Sequence, residues 1–254
     1  MIAIIVRHNI GLGDALQFTS VPENYYRHTG EKLIDWESHP VFDYNPYVIR
    51  GQETMPDKSI DLWSSHCLDV PVSFNNRTTY LSNAEVHSRH LGGYPIVLNR
   101  PRLYRYENAM QVQASRRMVL LHVKGKSHGQ MPEHVVKHVL KKYNPWVARI
   151  GLDDEWIYPM PEPYHYKTKD LWEMAEVISE ARIFIGVDSG PSWIARCYPD
   201  VVTKIVRLIP SVEALKDWVP LECCRLGSHF DDRSALIHNV SEDDAGITWS
   251  YRRL

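Results

Sequence analysis

Short β-branched runs alternate with amphipathic helical patterns through the second half of this chain, which restricts it to α/β folds built on a largely parallel sheet. The sharpest junction is Ile183–Trp193, read as Ile-Phe-Ile-Gly-Val-Asp-Ser-Gly-Pro-Ser-Trp. Its β-branched and aromatic start predicts a buried strand. The run breaks at Asp188-Ser189-Gly190, and Pro191 falls where the first turn of a helix admits proline. A strand, a polar turn and a helix N-terminus together make an anion site, because backbone N–H groups converge there and the helix dipole favours negative charge. Phosphate is therefore the first ligand to consider. The alternative is an ordinary βα loop in which Asp188 caps the helix.

Around this junction, Met118–Val123 predicts a strand, Lys124–Gln130 a polar loop, and Pro132–Lys142 a helix with Val135, Val136, Val139 and Leu140 on one face. Trp146–Gly151 predicts a strand and Tyr158–His165 a proline-rich loop. Leu171, Met174, Ala175 and Ile178 recur with helical spacing. Helix Pro191–Cys197, strand Val201–Leu208 and helix Ser211–Trp218 complete the series. In the first half, strand Ile2–Val6 leads through a glycine-bearing loop to a helix from Asp14 to about His28, kinked or broken at Pro22. Glu31–Trp36 reads as a strand, Asn83–His90 as a helix and Tyr94–Leu98 as a strand, whereas residues 37–80 are turn-rich and resist assignment. Two such series, starting at residue 2 and near residue 118, predict two doubly wound halves facing a cleft, spanning 1–112 and 113–254.

A 254-residue chain that is 44% hydrophobic and 24% charged has the composition of a soluble globular protein. Its net charge of −2 provides no overall attraction to nucleic acid or anionic membrane. The apolar start Met1–Val6 is too short for a signal or membrane segment. Cysteines at 67, 197, 223 and 224 fit neither a disulfide framework nor a Cys-x-x-Cys metal site. A reducing cytoplasm is the expected compartment.

Gly11-Leu12-Gly13-Asp14 opens a helix at a strand end, where parallel α/β sheets place ligands. A dinucleotide fingerprint needs glycine where Leu16 stands, which counts against a nicotinamide-dependent oxidoreductase. Asp14 either caps the helix or acts as a general base toward a hydroxyl. His8 beside it either contacts acceptor or phosphate, or satisfies a loop carbonyl. Lys124-Gly125-Lys126-Ser127-His128-Gly129 is a diphosphate-holding loop or a solvated basic one, and lacks P-loop spacing. His134 and His138 share a helix face but lack the glutamate of a zincin. Arg100, Arg102, Arg105, Arg116 and Arg117, interleaved with Tyr104 and Tyr106, form either a nucleic-acid strip or a connector with snorkelling side chains.

Together, Gly-x-Gly-Asp, the Lys/Ser loop, Arg100-Pro101-Arg102-Leu103 and the helix leading into Ile183-Phe-Ile-Gly-Val-Asp-Ser-Gly-Pro resemble family 9 glycosyltransferases, the ADP-heptose:lipopolysaccharide heptosyltransferase group. The resemblance implies a GT-B fold of two Rossmann-like halves, the first for the acceptor and the second for the donor. It implies an inverting transfer from a nucleoside-diphosphate sugar, with no metal and no cofactor beyond that donor substrate, to a glycan or lipopolysaccharide-type hydroxyl. Asp14 matches the family's base, with His8, Gly11 and Gly13 in the same acceptor-side loop. Lys124 or Lys126, with Ser127, matches the diphosphate loop, and Asp188, Ser189, Gly190 and Pro191 the donor motif. This chain departs from the family in having Trp193 for its histidine, in the later position of Pro22, in residues 37–90 and in its short length. Two alternatives remain open: a phage-type DNA transferase acting on a hydroxymethylated base, and a non-catalytic nucleotide-sugar-binding module.

Overall fold

The computed structural model describes residues 1–51, 53–54, 56–62, 88, 91–95, 97–98, 101–105, 117–125, 129–151, 156–187, 189–206, 235–237 and 249–250. The chain divides into two compact units, one holding the described residues up to Tyr104 and the other those from Arg105 onward. Among the described residues no helix is long and apolar enough to cross a membrane. The helix expected at Ser211–Trp218 lies outside them, as does nearly all of the one expected at Asn83–His90.

In the first unit, β1 (Ala3–Ile5), β2 (Leu33–Asp35), β3 (Val48–Arg50) and β4 (Ser59–Asp61) form a parallel sheet in the order β3-β2-β1-β4. Because β2 and β4 flank β1 on opposite sides, the order reverses between β1 and β4, and the carboxyl ends of those strands form the ligand-accessible crevice of such a sheet. The expected helix from Asp14 to His28 is two helices, α1 (Leu12–Gln17) and α2 (Val21–Thr29). The break precedes Pro22, which sits in the first turn of α2, where a missing N–H costs nothing. Gly30 ends α2 in the left-handed conformation at φ 74°.

The described part of Tyr94–Leu98 is not a strand. The Asn24 side chain supplies the bonds a neighbouring strand would give: Oδ1 accepts from the N–H groups of Val97 and Leu98 (2.9 and 2.8 Å), and Nδ2 donates to the Leu98 carbonyl (2.7 Å).

Among the described residues the main sheet of the second unit consists of β5 (Val119–His122), β8 (Val147–Gly151), β9 (Tyr164–Lys167), β10 (Ile183–Val187), β11 (Val202–Val206), β12 (Ala235–Ile237) and β13 (Trp249–Ser250). Their order is β13-β12-β11-β10-β5-β8-β9. All neighbours are parallel except β12 and β13. From β5 the chain builds outward through β8 and β9, then returns to place β10, β11 and β12 on the other side, the doubly wound dinucleotide-type order. The expected polar loop Lys124–Gln130 instead contains a hairpin, β6 (Lys124–Gly125) with β7 (Gly129–Gln130).

Helix α3 (Glu133–Tyr143) buries Val135, Val136 and Val139 against Val119, Leu121, Ile185 and Val187. Strand alternation turns Leu120 and Phe184 to the other face, where they are fully buried too. Helices α4 (Leu171–Ser179) and α5 (Gly190–Cys197) adjoin each other, and α5 adjoins β10 and β11.

Candidate functional site

At the carboxyl edge of the second sheet, the order reverses between β5 and β10. Val187 ends β10, Ser189 is the N-cap of α5, Gly190 opens the helix and Pro191 follows in its first turn. The Ser192 hydroxyl accepts from the Ser189 N–H (3.1 Å) and donates to the Ser189 carbonyl (2.7 Å), which closes the turn. The Ser189 hydroxyl donates to the Val187 carbonyl (3.1 Å), and its oxygen lies 3.1 Å from Nδ1 of His122. Since that hydroxyl proton is already engaged, the His122 Nδ1–H is the donor. A buried imidazole thus fixes the hydroxyl at the start of a helix whose dipole favours an anion.

Two glycines make room for this imidazole. A Cβ on Gly186 would stand 3.0 Å from the His122 Cβ and 2.8 Å from the Phe184 ring. Gly151 has φ +153°, and a Cβ there would approach the His122 ring at 3.3 Å. Sequence reading passed over His122 because it looks like the polar end of an apolar strand. Its signal emerges only when β5 is set beside Ile183–Val187.

Lys124 is exposed in β6, and β6 adjoins β10. Lys126, Ser127 and Asp188 lie outside the described residues. Trp193 is 6% exposed within α5, with the Arg196 guanidinium 5.0 Å above its ring, so it is a packed side chain. Among the described residues no group of three or more His, Cys, Asp or Glu side chains is arranged to hold a metal.

The carboxyl edge of the first sheet holds the remaining candidates. Arg7 pairs with Asp61 at the end of β4, tying the loop after β1 across the crevice. The His8 Nε2 lies 2.7 Å from the Glu37 carbonyl, and its ring stacks on His39 at 5.2 Å. Gly11 is the N-cap of α1, with Gly13 and Asp14 in the first turn. A Cβ on Gly11 would stand 2.8 Å from the Asp14 Oδ2, so the half-buried carboxylate folds back over the helix start. That is a capping posture, and it also keeps Asp14 at the crevice.

Beside it is a cluster that sequence reading missed. Asp35, fully buried at the end of β2, is raised to about 6 by burial, against the pull of Arg50 with Nε at 3.7 Å. Burial and the neighbouring His8 and Arg50 lower His39 to about 4. The signal was a carboxylate ending the apolar Leu33-Ile34-Asp35 run. Asp35 stands where a dinucleotide fold would place a ribose-binding acid, but its complete burial withholds it from a ligand.

In the arginine strip Arg100, Arg116 and Tyr106 lie outside the described residues, Arg117 is exposed, and Arg102 and Arg105 are half-buried. Arg102 donates to both Glu23 oxygens (3.0 and 2.8 Å), the Tyr104 hydroxyl donates to the same carboxylate (2.7 Å), and Glu23 is completely buried.

No family profile and no curated protein sequence matches the chain. Solved structures do resemble it in fold. The family 9 glycosyltransferase from Veillonella parvula has a TM-score of 0.62 at 13% identity, covering 94% of this chain and 85% of that one. The E. coli heptosyltransferase WaaC with ADP has a TM-score of 0.57 at 14% identity, covering 89% and 99%. The iron-containing dodecameric glycosyltransferase TibC from enterotoxigenic E. coli H10407 has a TM-score of 0.53 at 18% identity. That match covers 80% of this chain but only 57% of TibC. At these identities the likeness establishes the fold: α/β with parallel sheets, as in these glycosyltransferases.

Proposed function

We propose that this protein is an inverting, metal-independent glycosyltransferase of GT-B architecture, moving a sugar from a nucleoside-diphosphate donor to the hydroxyl of a glycan or lipopolysaccharide-type acceptor. The observation that carries the reading is the Ser189–α5 junction, braced by His122 at the strand-order reversal of a doubly wound sheet. The fold likeness to glycosyltransferases supports it.

In this reading the donor diphosphate lies against the first turn of α5. Gly190 allows close approach, and the N-terminal dipole together with the backbone amides of Asp188, Ser189 and Gly190 holds the phosphates. Lys124 or Lys126 neutralises the leaving diphosphate, with the Ser127 hydroxyl as a further donor, so a metal is not required. Asp14 takes the proton of the acceptor hydroxyl as its oxygen bonds to the anomeric carbon. The bond from that carbon to the phosphate oxygen breaks on the opposite side, and the nucleoside diphosphate leaves. His8, Gly11 and Gly13 shape the acceptor side of this loop. Buried Glu23 holds Arg102, which withdraws one member of the arginine strip from the modified-DNA alternative.

The test is a thermal-shift screen with ADP-, UDP- and GDP-linked sugars. A donor at a hundred times its Kd adds about 2.7 kcal/mol to folding, a readily measured rise in melting temperature. Asp14→Asn should keep that rise and lose transfer. No rise with any donor would overturn the reading, and a rise without turnover or donor hydrolysis would leave a nucleotide-sugar-binding module.

A further inference from the structure

The second sheet has a recess at its other edge, where β5 and β10 begin. Arg117, Val119, Tyr143, Trp146, Arg182 and Ile183 line a volume of about 330 Å³, at the small end of the range for small-molecule sites. Ile183 and Val187 bound a five-residue strand about 13 Å long at ordinary strand rise. The recess is therefore separate from Ser189.

Its walls are preformed. The Val119 N–H donates to the Trp146 carbonyl (2.9 Å), the Trp146 N–H to the Tyr143 carbonyl (2.9 Å) and the Arg182 N–H to the Met118 carbonyl (3.0 Å). These backbone donors being engaged, the polar groups presented to a ligand belong to side chains: two guanidiniums, a phenol and the indole N–H of Trp146. Arg117 and Arg182 are exposed, and neither forms an ion pair among the described residues. The Arg117 guanidinium lies 5.0 Å from the Trp146 ring, which is 46% exposed despite its size.

More positive charge stands behind Tyr143. Lys204, 7% exposed, donates from Nζ to the Tyr143 hydroxyl at 3.2 Å, and the Lys142 ammonium lies 5.5 Å from the ring centre. Helices α3 and α4 end at this edge and bring partial negative charge, roughly half an elementary charge each. The guanidiniums of Arg117 and Arg182, at a full charge each, outweigh those two half-charges, so the recess favours an anion. The apolar floor of Val119 and Ile183 and the two aromatic walls favour a flat ring.

We propose that this recess binds a phosphomonoester carried on a flat ring, with the phosphate at Arg117 and Arg182 and the ring against Trp146 and Tyr143. The proposal does not depend on the donor site. A ligand held here is distinct from the diphosphate at α5.

The test uses phenyl phosphate and AMP as probes in titrations of the full chain followed by indole ¹⁵N–¹H resonances, with Trp146→Phe identifying the Trp146 signal. Both probes should move that signal saturably, and phenol, with the same ring and no charge, should not. Arg182→Ala and Arg117→Ala, both at exposed positions, should each weaken binding roughly tenfold, the loss of a charged hydrogen-bond partner. Ser189→Ala should leave it unchanged. Tighter binding of AMP identifies a nucleotide as the ligand, and equal binding identifies aryl phosphomonoesters in general. A Trp146 signal unmoved by both phosphates would overturn the proposal. So would arginine variants that bind like wild type while their other indole signals remain native, or phenol binding as tightly as phenyl phosphate.

Discussion

Replacing Glu23 by Gln should destabilise the first unit by about 3 kcal/mol, and the structure indicates why the figure is near that value. The carboxylate is completely buried, yet accepts from Arg102 through both oxygens, from Arg27 Nε and Nη2 (2.9 and 2.6 Å) and from the Tyr104 hydroxyl. Burial is the largest single influence on its proton affinity and pushes it up. The Tyr104 bond, the Arg27 bond and the two guanidinium charges together overcome burial and hold Glu23 below its ordinary 4.5. Gln preserves the shape but turns an NH₂ toward a guanidinium. Breaking a buried ion pair costs about 3–5 kcal/mol. The low end applies because the Arg27 and Arg102 side chains keep 48% and 27% of their exposure, so water solvates the orphaned cations. For a unit of about a hundred residues this corresponds to a fall in melting temperature of roughly 12 °C or more, readable by calorimetry. Glu133→Gln, which breaks an exposed pair with Lys137, should cost under about 1 kcal/mol and serves as the control. Because the folded-state value is depressed, the Glu23 contribution is present above 4.5 and lost as pH falls through the folded value, so wild type and variant should converge in acid. A shift within about 2 °C of wild type, or a gap that persists unchanged to pH 3, would refute this account.

Gly11→Ala requires no unusual backbone angle (φ −63°), but its Cβ would stand 2.8 Å from the Asp14 Oδ2 and must expel the carboxylate. If Asp14 takes the acceptor proton, turnover should fall about tenfold to a hundredfold at a folding cost of about 1 kcal/mol; undiminished turnover in a transfer assay would refute that role. His122→Leu should weaken, several-fold in calorimetric titration, the binding of whichever nucleoside-diphosphate sugar raises the melting temperature, by releasing the Ser189 hydroxyl, and wild-type affinity would reduce His122 to a packing residue. Asp35 and His39 should give opposed pH slopes in urea denaturation. Stability from Asp35 is present below 3.8 and lost as pH rises through about 6, whereas His39, buried neutral, loses stability as pH falls from 6.5 toward 4. Asp35→Asn should therefore expose a rise in stability between pH 4 and 6 worth up to about 3 kcal/mol, and His39→Phe a fall; matching profiles in all three proteins would sink the assignment.

Much of the second unit was legible locally. Ile183–Val187 is the strand its β-branched pattern predicts, and α4 begins at Leu171, where Asp170 accepts from the N–H groups of Trp172 and Glu173 (2.7 and 2.9 Å). The failures have physical reasons. β3 and β4 are three residues long with no alternating period, and each forms because a neighbouring strand offers a ladder. Tyr94–Leu98 has the composition of a strand, but Asn24 captures its backbone. Lys124–Gln130 reads as a loop because a pair of two-residue strands carries no periodic signal.

By itself the sequence determined the alternation of strand and helix, and with it a parallel sheet, because hydrophobic period and turn chemistry are local properties. It also marked Ser189–Pro191 as a helix start at a strand end. Tertiary structure alone decided strand order, since ladder partners are chosen by contacts between residues far apart in the chain. Setting β10 beside β5 brings His122 to Ser189, 67 residues away, turning an unremarkable strand-end histidine into the brace of the candidate donor site.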